Sequence, residues 1–71
     1  MNVLYHATLK YFEAQEAEAL AVLSVFLNSP IGVAGHSDFL QEMKEWTQKL
    51  TNAQENIKTL KSIINTGEKN E

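Results

Sequence analysis

The second half of the chain shows the most regular alternation of apolar and polar positions. From Phe39 to Ile64, apolar residues recur at alternating intervals of four and three. The members of this seam are Phe39, Met43, Trp46, Leu50, Ala53, Ile57, Leu60 and Ile64. An unbroken heptad pattern is typical of a helix that packs against another helix by knobs-into-holes contacts. The pattern therefore predicts a coiled-coil-like helix over residues 38–65.

Both ends of this helix carry sequence signals. Asp38 is a suitable N-cap and Gln41 stands three residues later, at the spacing of a capping box, with Ser37 as the alternative cap. At the other end, Gly67 can adopt the left-handed conformation that terminates many helices. We therefore expect the helix to stop before Gly67 and residues 67–71 to form a flexible tail.

The first half of the chain predicts a helix over residues 2–28, with Asn2 as its N-cap and apolar residues on two sides. One stripe has heptad spacing and a single polar member: Tyr5, Leu9, Phe12, Glu16, Ala19, Leu23 and Phe26. A second stripe is formed mainly by small residues: Val3, Ala7, Ala14, Ala17, Ala21 and Val25. A helix that is apolar on two sides has more than one neighbour.

A helix-breaking cluster at residues 29–37 separates the two helices. Pro30 cannot continue a helix interior, and Gly32 and Gly35 can supply the positive φ that a reversal often needs. The fold class is therefore all-α, an antiparallel two-helix hairpin that occupies residues 1–66.

The length of the turn nearly fixes the register of the hairpin. The expected pairs are Phe26 with Phe39, Leu23 with Met43, Ala19 with Trp46, Glu16 with Leu50, Phe12 with Ala53 and Leu9 with Ile57. Two of these pairs place an alanine against a large aromatic side chain, as close packing favours. Glu16 also falls beside Lys49, where we expect an ion pair worth about 0.5 kcal/mol.

A lone hairpin would leave one flank of the seam and the second stripe of the first helix in water. Because burying a large apolar side chain is worth roughly 1.5–3 kcal/mol, we expect a homo-oligomer. A dimer that forms a four-helix bundle is the simplest assembly, while trimers and larger rings stay open. The residues expected in its core and seam are Phe12, Ala19, Leu23, Phe26, Met43, Trp46, Leu50, Ile57 and Leu60.

Composition narrows the function classes. The chain has 71 residues, no cysteine and a net charge of −3, and 44% of its residues are hydrophobic. A domain this small without disulfides or thiolate zinc sites depends on helix packing or self-association. Scattered lysines without arginine argue against nucleic-acid binding. We find no apolar run long enough to span a bilayer and no signal-peptide pattern, so we expect a cytoplasmic protein without membrane contact.

No catalytic, phosphate-binding or metal-binding motif is present, so we expect neither an enzyme nor a cofactor. His6 and His36 fall at opposite ends of the hairpin and cannot share a metal within one chain.

Two groups are candidates for ligand or partner contact. Gly32, Gly35 and His36 precede a helix N-terminus, where an anion or a partner could bind. The alternative is that these residues serve only the geometry of the turn. Tyr5, Lys10 and Tyr11 could stack on and neutralise a nucleotide, or could simply be core and surface residues.

The turn resembles a segment of small, mostly uncharacterised helical-hairpin proteins of tailed bacteriophages. The resemblance lies in Asn28-Ser29-Pro30, Gly32-Val33 and His36-Ser37, and extends to the alanine-rich helix before the turn and to Ala53-Gln54-Glu55 and Leu60 after it. Gly35 stands where a glutamate is common in those proteins. The resemblance implies a phage origin and little about chemistry. Small phage accessory proteins commonly bind a host protein or form part of the particle, so both the host cytoplasm and the virion stay open as locations.

Some phage helical hairpins sequester the cyclic nucleotides of bacterial immunity. Their first helix has a paired tyrosine and a downstream lysine, whereas here Lys10 precedes Tyr11 and the next lysine is Lys44. The sequence thus favours a non-enzymatic, self-associating interaction protein, and the alternative is an oligomer that binds or sequesters a small ligand.

Overall fold

The structure, a computed structural model, describes residues 2–28 and 38–69. Within them, α1 (Val3–Asn28) and α2 (Phe39–Lys69) pack side by side as a hairpin. The molecule is a rod with principal dimensions of 57 × 16 × 15 Å. This confirms the predicted all-α two-helix hairpin. The predicted turn at residues 29–37, with Gly32, Gly35 and His36, lies outside the described residues.

The first helix begins where the sequence predicts. The side-chain Oδ1 of Asn2 accepts a hydrogen bond of 2.9 Å from the backbone N–H of Tyr5. The backbone carbonyl of Asn2 also accepts from the N–H of His6, at 3.1 Å. Asn2 is therefore the N-cap of α1, and it satisfies one of the amide groups that a helix start leaves without an intrahelical acceptor.

The second helix begins after Asp38, whose backbone carbonyl accepts a 2.9 Å bond from the N–H of Glu42. The predicted capping box is not formed. The side-chain amide of Gln41 donates forward to Glu45 at 3.1 Å instead of reaching back to Asp38. On a helix surface, residues four apart are neighbours, so this contact competes directly with the cap.

The predicted end of α2 is wrong, because the helix continues through Gly67 to Lys69. Glycine permits a left-handed residue but does not require one. Each further helical residue adds a backbone hydrogen bond, which offsets glycine's cost of about 1 kcal/mol relative to alanine.

The two helices meet along the predicted seams. Ala19 and Ala53, the two alanines expected to face aromatic side chains, are 0% and 1% exposed, and Leu23 is 9% exposed. All other members of the two seams are half-buried. The rings of Phe26 and Phe39 meet edge to face with centroids 5.1 Å apart, which confirms the predicted pair next to the turn.

The predicted ion pair between Glu16 and Lys49 is not formed. Oε2 of Glu16 accepts a 3.3 Å hydrogen bond from Nε2 of Gln54 in α2. The Nζ atom of Lys49 instead lies 4.1 Å from the ring centroid of Trp46, a cation–π contact within the same helix. Trp46 lies one turn from Lys49, so the lysine reaches an aromatic face without crossing to α1.

Candidate functional site

The most prominent surface feature is an apolar face on the side of α1 away from α2. It carries exposed large side chains at both ends and in the middle: Val3 is 78% exposed, Leu4 75%, Tyr11 58% and Val25 61%. The alanines of the predicted second stripe complete it, and all are exposed. We call this the outer face, comprising Val3, Leu4, Ala7, Lys10, Tyr11, Ala14, Ala17, Glu18, Ala21 and Val25.

Helix geometry explains why the outer face is left uncovered. At 3.6 residues per turn, its members lie on roughly the opposite side of α1 from the seam that contacts α2. One chain therefore cannot bury both faces of α1 in a hairpin. This agrees with the expectation that a helix apolar on two sides needs two neighbours.

The outward side of α2 has a different character. Between Phe39 and Asn65, its exposed large apolar side chains are Leu40, which is 69% exposed, and Ile63, which is 62% exposed. They lie near opposite ends of this stretch, and the exposed residues between them are polar or charged. Among the described side chains, a continuous exposed apolar surface is thus confined to α1.

Three polar side chains are set into the outer face: Lys10, which is exposed between Ala7 and Ala14, Glu18 and Tyr11. Glu18 is exposed at the edge of the outer face that borders α2. The hydroxyl oxygen of Tyr11 accepts a hydrogen bond of 3.0 Å from Nε2 of Gln15. A phenol is both donor and acceptor, so the hydroxyl hydrogen of Tyr11 stays available for an acceptor outside the helix.

A second feature is an open groove of about 380 Å³ between the helices, which the sequence reasoning did not identify. Its lining consists of Gln15, Glu18, Trp46, Lys49, Asn52 and Asn56. The groove offers an aromatic face, three amides and one charge of each sign. Its single cation already lies over the Trp46 ring. The groove is therefore better suited to bind an uncharged polar group of a ligand than a phosphate.

The structure separates the predicted group of Tyr5, Lys10 and Tyr11. Tyr5 is half-buried on the seam side, and its ring meets that of His6 edge to face at 5.1 Å. Lys10 and Tyr11 are exposed, and the Tyr11 ring packs edge to face on Phe12 at 5.3 Å. The three side chains do not converge on one ligand within a single chain.

In the part of the chain that the structure describes, no three histidine or carboxylate side chains gather as a metal site would require. Neither helix, over the same residues, combines the length and apolar character needed to cross a bilayer. The candidate surfaces are therefore the outer face of α1 and the groove at Trp46. Comparisons of the chain with protein-family models, curated proteins and solved structures find no match.

Proposed function

We propose that this chain is a non-enzymatic helical-hairpin interaction protein that self-associates through the outer face of α1. The observation that carries the proposal is the exposure of Val3, Leu4, Tyr11 and Val25, each more than half exposed, on one side of one helix. Contiguous exposed apolar surface of this kind marks interaction sites in soluble proteins. Single exposed apolar residues would need no such explanation.

The energetics favour association over a solvated face. Burying a large apolar side chain is worth roughly 1.5–3 kcal/mol. In a symmetric dimer, each of these side chains is buried in both copies. The alanines between them lose almost no side-chain entropy on association. Association in turn costs an estimated 4–15 kcal/mol of translational and rotational freedom, which several buried side chains are enough to offset.

We further propose that the homo-oligomer binds a host or virion protein. The resemblance of the turn to small proteins of tailed bacteriophages is what supports this setting, and it stays a prediction. In the assembled form, the polar side of α2 stays exposed and is the surface left for a second protein.

The test is sedimentation equilibrium of the unmodified chain and of charge variants over a wide concentration range. Leu4→Lys and Val25→Lys place a charge in the outer face and are expected to shift the oligomer toward monomer. Leu40→Lys is the matched control, because Leu40 is similarly exposed at 69% but lies on α2. A chain that is monomeric at all concentrations contradicts the proposal, as does equal weakening by all three variants.

The groove supports a second candidate function, the binding of a small ligand against Trp46. Trp46 is the single tryptophan of the chain, so its fluorescence reports on the groove directly. A panel of nucleotides and of uncharged aromatic ligands, followed by Trp46 emission and thermal shift, tests this function. Saturable quenching with a rise of several degrees in melting temperature supports it. No change with any ligand leaves the interaction protein as the better account.

A further inference from the structure

We infer that the outer face is covered by the same face of a second copy, with the two α1 helices antiparallel and a two-fold axis beside Ala14. This inference rests on the proposed self-association and adds the occupant, its direction and its register. Three features of α1 carry it: the repeat of its small residues, the position of Glu18, the one acidic residue of the outer face, and the hydrogen bond at Tyr11.

The small residues set the distance and the register. Ala7, Ala14 and Ala21 recur every seventh residue along the exposed side of α1. Small residues at such spacing let two helix backbones approach closely along their whole length. With the two-fold axis beside Ala14, Ala14 faces its own copy and Ala7 faces Ala21. The same register sets Val3 against Val25, with Leu4 beside them, so the large apolar side chains at the two ends also meet.

The charges select the direction. A parallel pair in register would place the carboxylate of Glu18 beside Glu18 of the second copy, and like charges at an interface are unfavourable. The antiparallel pair moves these carboxylates apart to either side of the two-fold axis. It also sets the two helix dipoles in opposition, which is favourable.

The antiparallel register gives Glu18 a hydrogen-bond donor. With Ala14 on the axis, Glu18 is level with Lys10 of the second copy and one residue from the level of its Tyr11, within reach of both side chains, and the two-fold axis generates these contacts twice. The Tyr11 hydroxyl can donate a hydrogen bond to a carboxylate, because its oxygen already accepts from Gln15 at 3.0 Å and its hydrogen is free to point outward. Hydrogen bonds to an ionised group are the stronger ones.

The resulting dimer has the two α1 helices in the centre and one α2 on each outer side. It is a row of four helices, because the seam and the outer face lie on roughly opposite sides of α1. The polar side of α2 then faces water in both copies, in agreement with its composition.

Single-cysteine crosslinking tests the register, since the chain has no cysteine of its own. Each variant is treated with a short bifunctional maleimide and analysed as covalent dimer. Ala14→Cys is expected to couple to itself. Ala7→Cys is expected to couple poorly alone but readily when mixed with Ala21→Cys. Thr51→Cys, on the exposed side of α2, is the control for random collision.

Two outcomes overturn the inference. If Ala7→Cys alone couples as readily as Ala14→Cys, the helices are parallel. If no outer-face variant couples above the Thr51→Cys control, the face is not paired with its own copy. Mass measurement of the same samples distinguishes failure of this antiparallel interface from failure of self-association itself. A dimer without coupling refutes only this interface, whereas a monomer refutes the proposed self-association as well.

A conservative variant tests the polar contact. Tyr11→Phe removes the hydroxyl but keeps the ring against Phe12, so the hairpin should keep its helicity and melting behaviour. The dissociation constant of the dimer is expected to rise by roughly 100-fold or more, because two symmetric hydrogen bonds to carboxylates are lost. An unchanged dissociation constant contradicts the predicted contact between Tyr11 and Glu18.

Discussion

Truncating one leucine of α1 should reveal how much of the hairpin's stability lies in the seam. Leu23 is 9% exposed and Leu27, one turn further along the same helix, is 69% exposed. Both changes to alanine have the same small effect on helix propensity, so that contribution cancels in the comparison. What differs is the apolar surface that each side chain removes from water.

For Leu23→Ala, the usual range for a buried leucine is about 2–5 kcal/mol. We expect the lower end, about 2–3 kcal/mol, because only one other helix of the chain covers this site and the cavity can collapse. Leu27→Ala should cost less than about 1 kcal/mol, since most of that side chain is already in water. In a domain of this size, 1 kcal/mol corresponds to a change of roughly 4–8 °C in melting temperature.

The assay is urea unfolding followed by circular dichroism, with both variants and the unmodified chain at one protein concentration. The fixed concentration matters because self-association adds to the apparent stability. Equal losses for Leu23→Ala and Leu27→Ala would mean that the seam is not the surface that holds the helices together. Light scattering of each variant shows whether a change in assembly contributes.

Three further changes have defined outcomes. Asn2→Ala should lower the free energy of unfolding by about 1 kcal/mol, while Asn2→Ser, which keeps a capping oxygen, should be close to neutral in urea unfolding. Lys49→Gln removes the cation 4.1 Å from the Trp46 ring centroid, so the emission of Trp46 should change and stability should fall by about 0.5–1 kcal/mol; an unaltered spectrum would argue against the contact. Gly67→Ala should raise the melting temperature slightly because α2 continues to Lys69; a decrease would mean that Gly67 is left-handed instead.

Hydrophobic periodicity was sufficient to predict the hairpin. Ala19 and Ala53 are the most buried seam residues because the heptad pattern placed small residues where the helices approach most closely. Asn2 was identified from capping chemistry, which depends only on local sequence. Patterns of this kind are determined within a few turns of the chain, and they do not depend on the exact position of the partner helix.

Contacts made by long polar side chains were harder to predict. Lys49 had Glu16 and Trp46 within reach, and it lies over the ring in its own helix. Such choices depend on rotamers and on small shifts between helices, and their energies differ by only a fraction of a kcal/mol. The groove at Trp46 was not predicted from the sequence. Both helices contribute to its lining, so its shape also depends on side-chain rotamers and on small shifts between the helices.

The end of α2 could not be predicted from the sequence for a different reason. Gly67 satisfies the sequence requirement for a helix stop, yet the helix passes through it. The difference between continuing and terminating a helix at such a position is about the cost of one glycine, which a single further hydrogen bond can offset.

Self-association of the hairpin is tested by the mass of the unmodified chain, measured by light scattering on a sizing column at several concentrations. We expect a mass of twice the 8.0 kDa of one chain, with dissociation only on dilution. A mass of one chain at every concentration would contradict self-association, because the outer face of α1 would then remain in water.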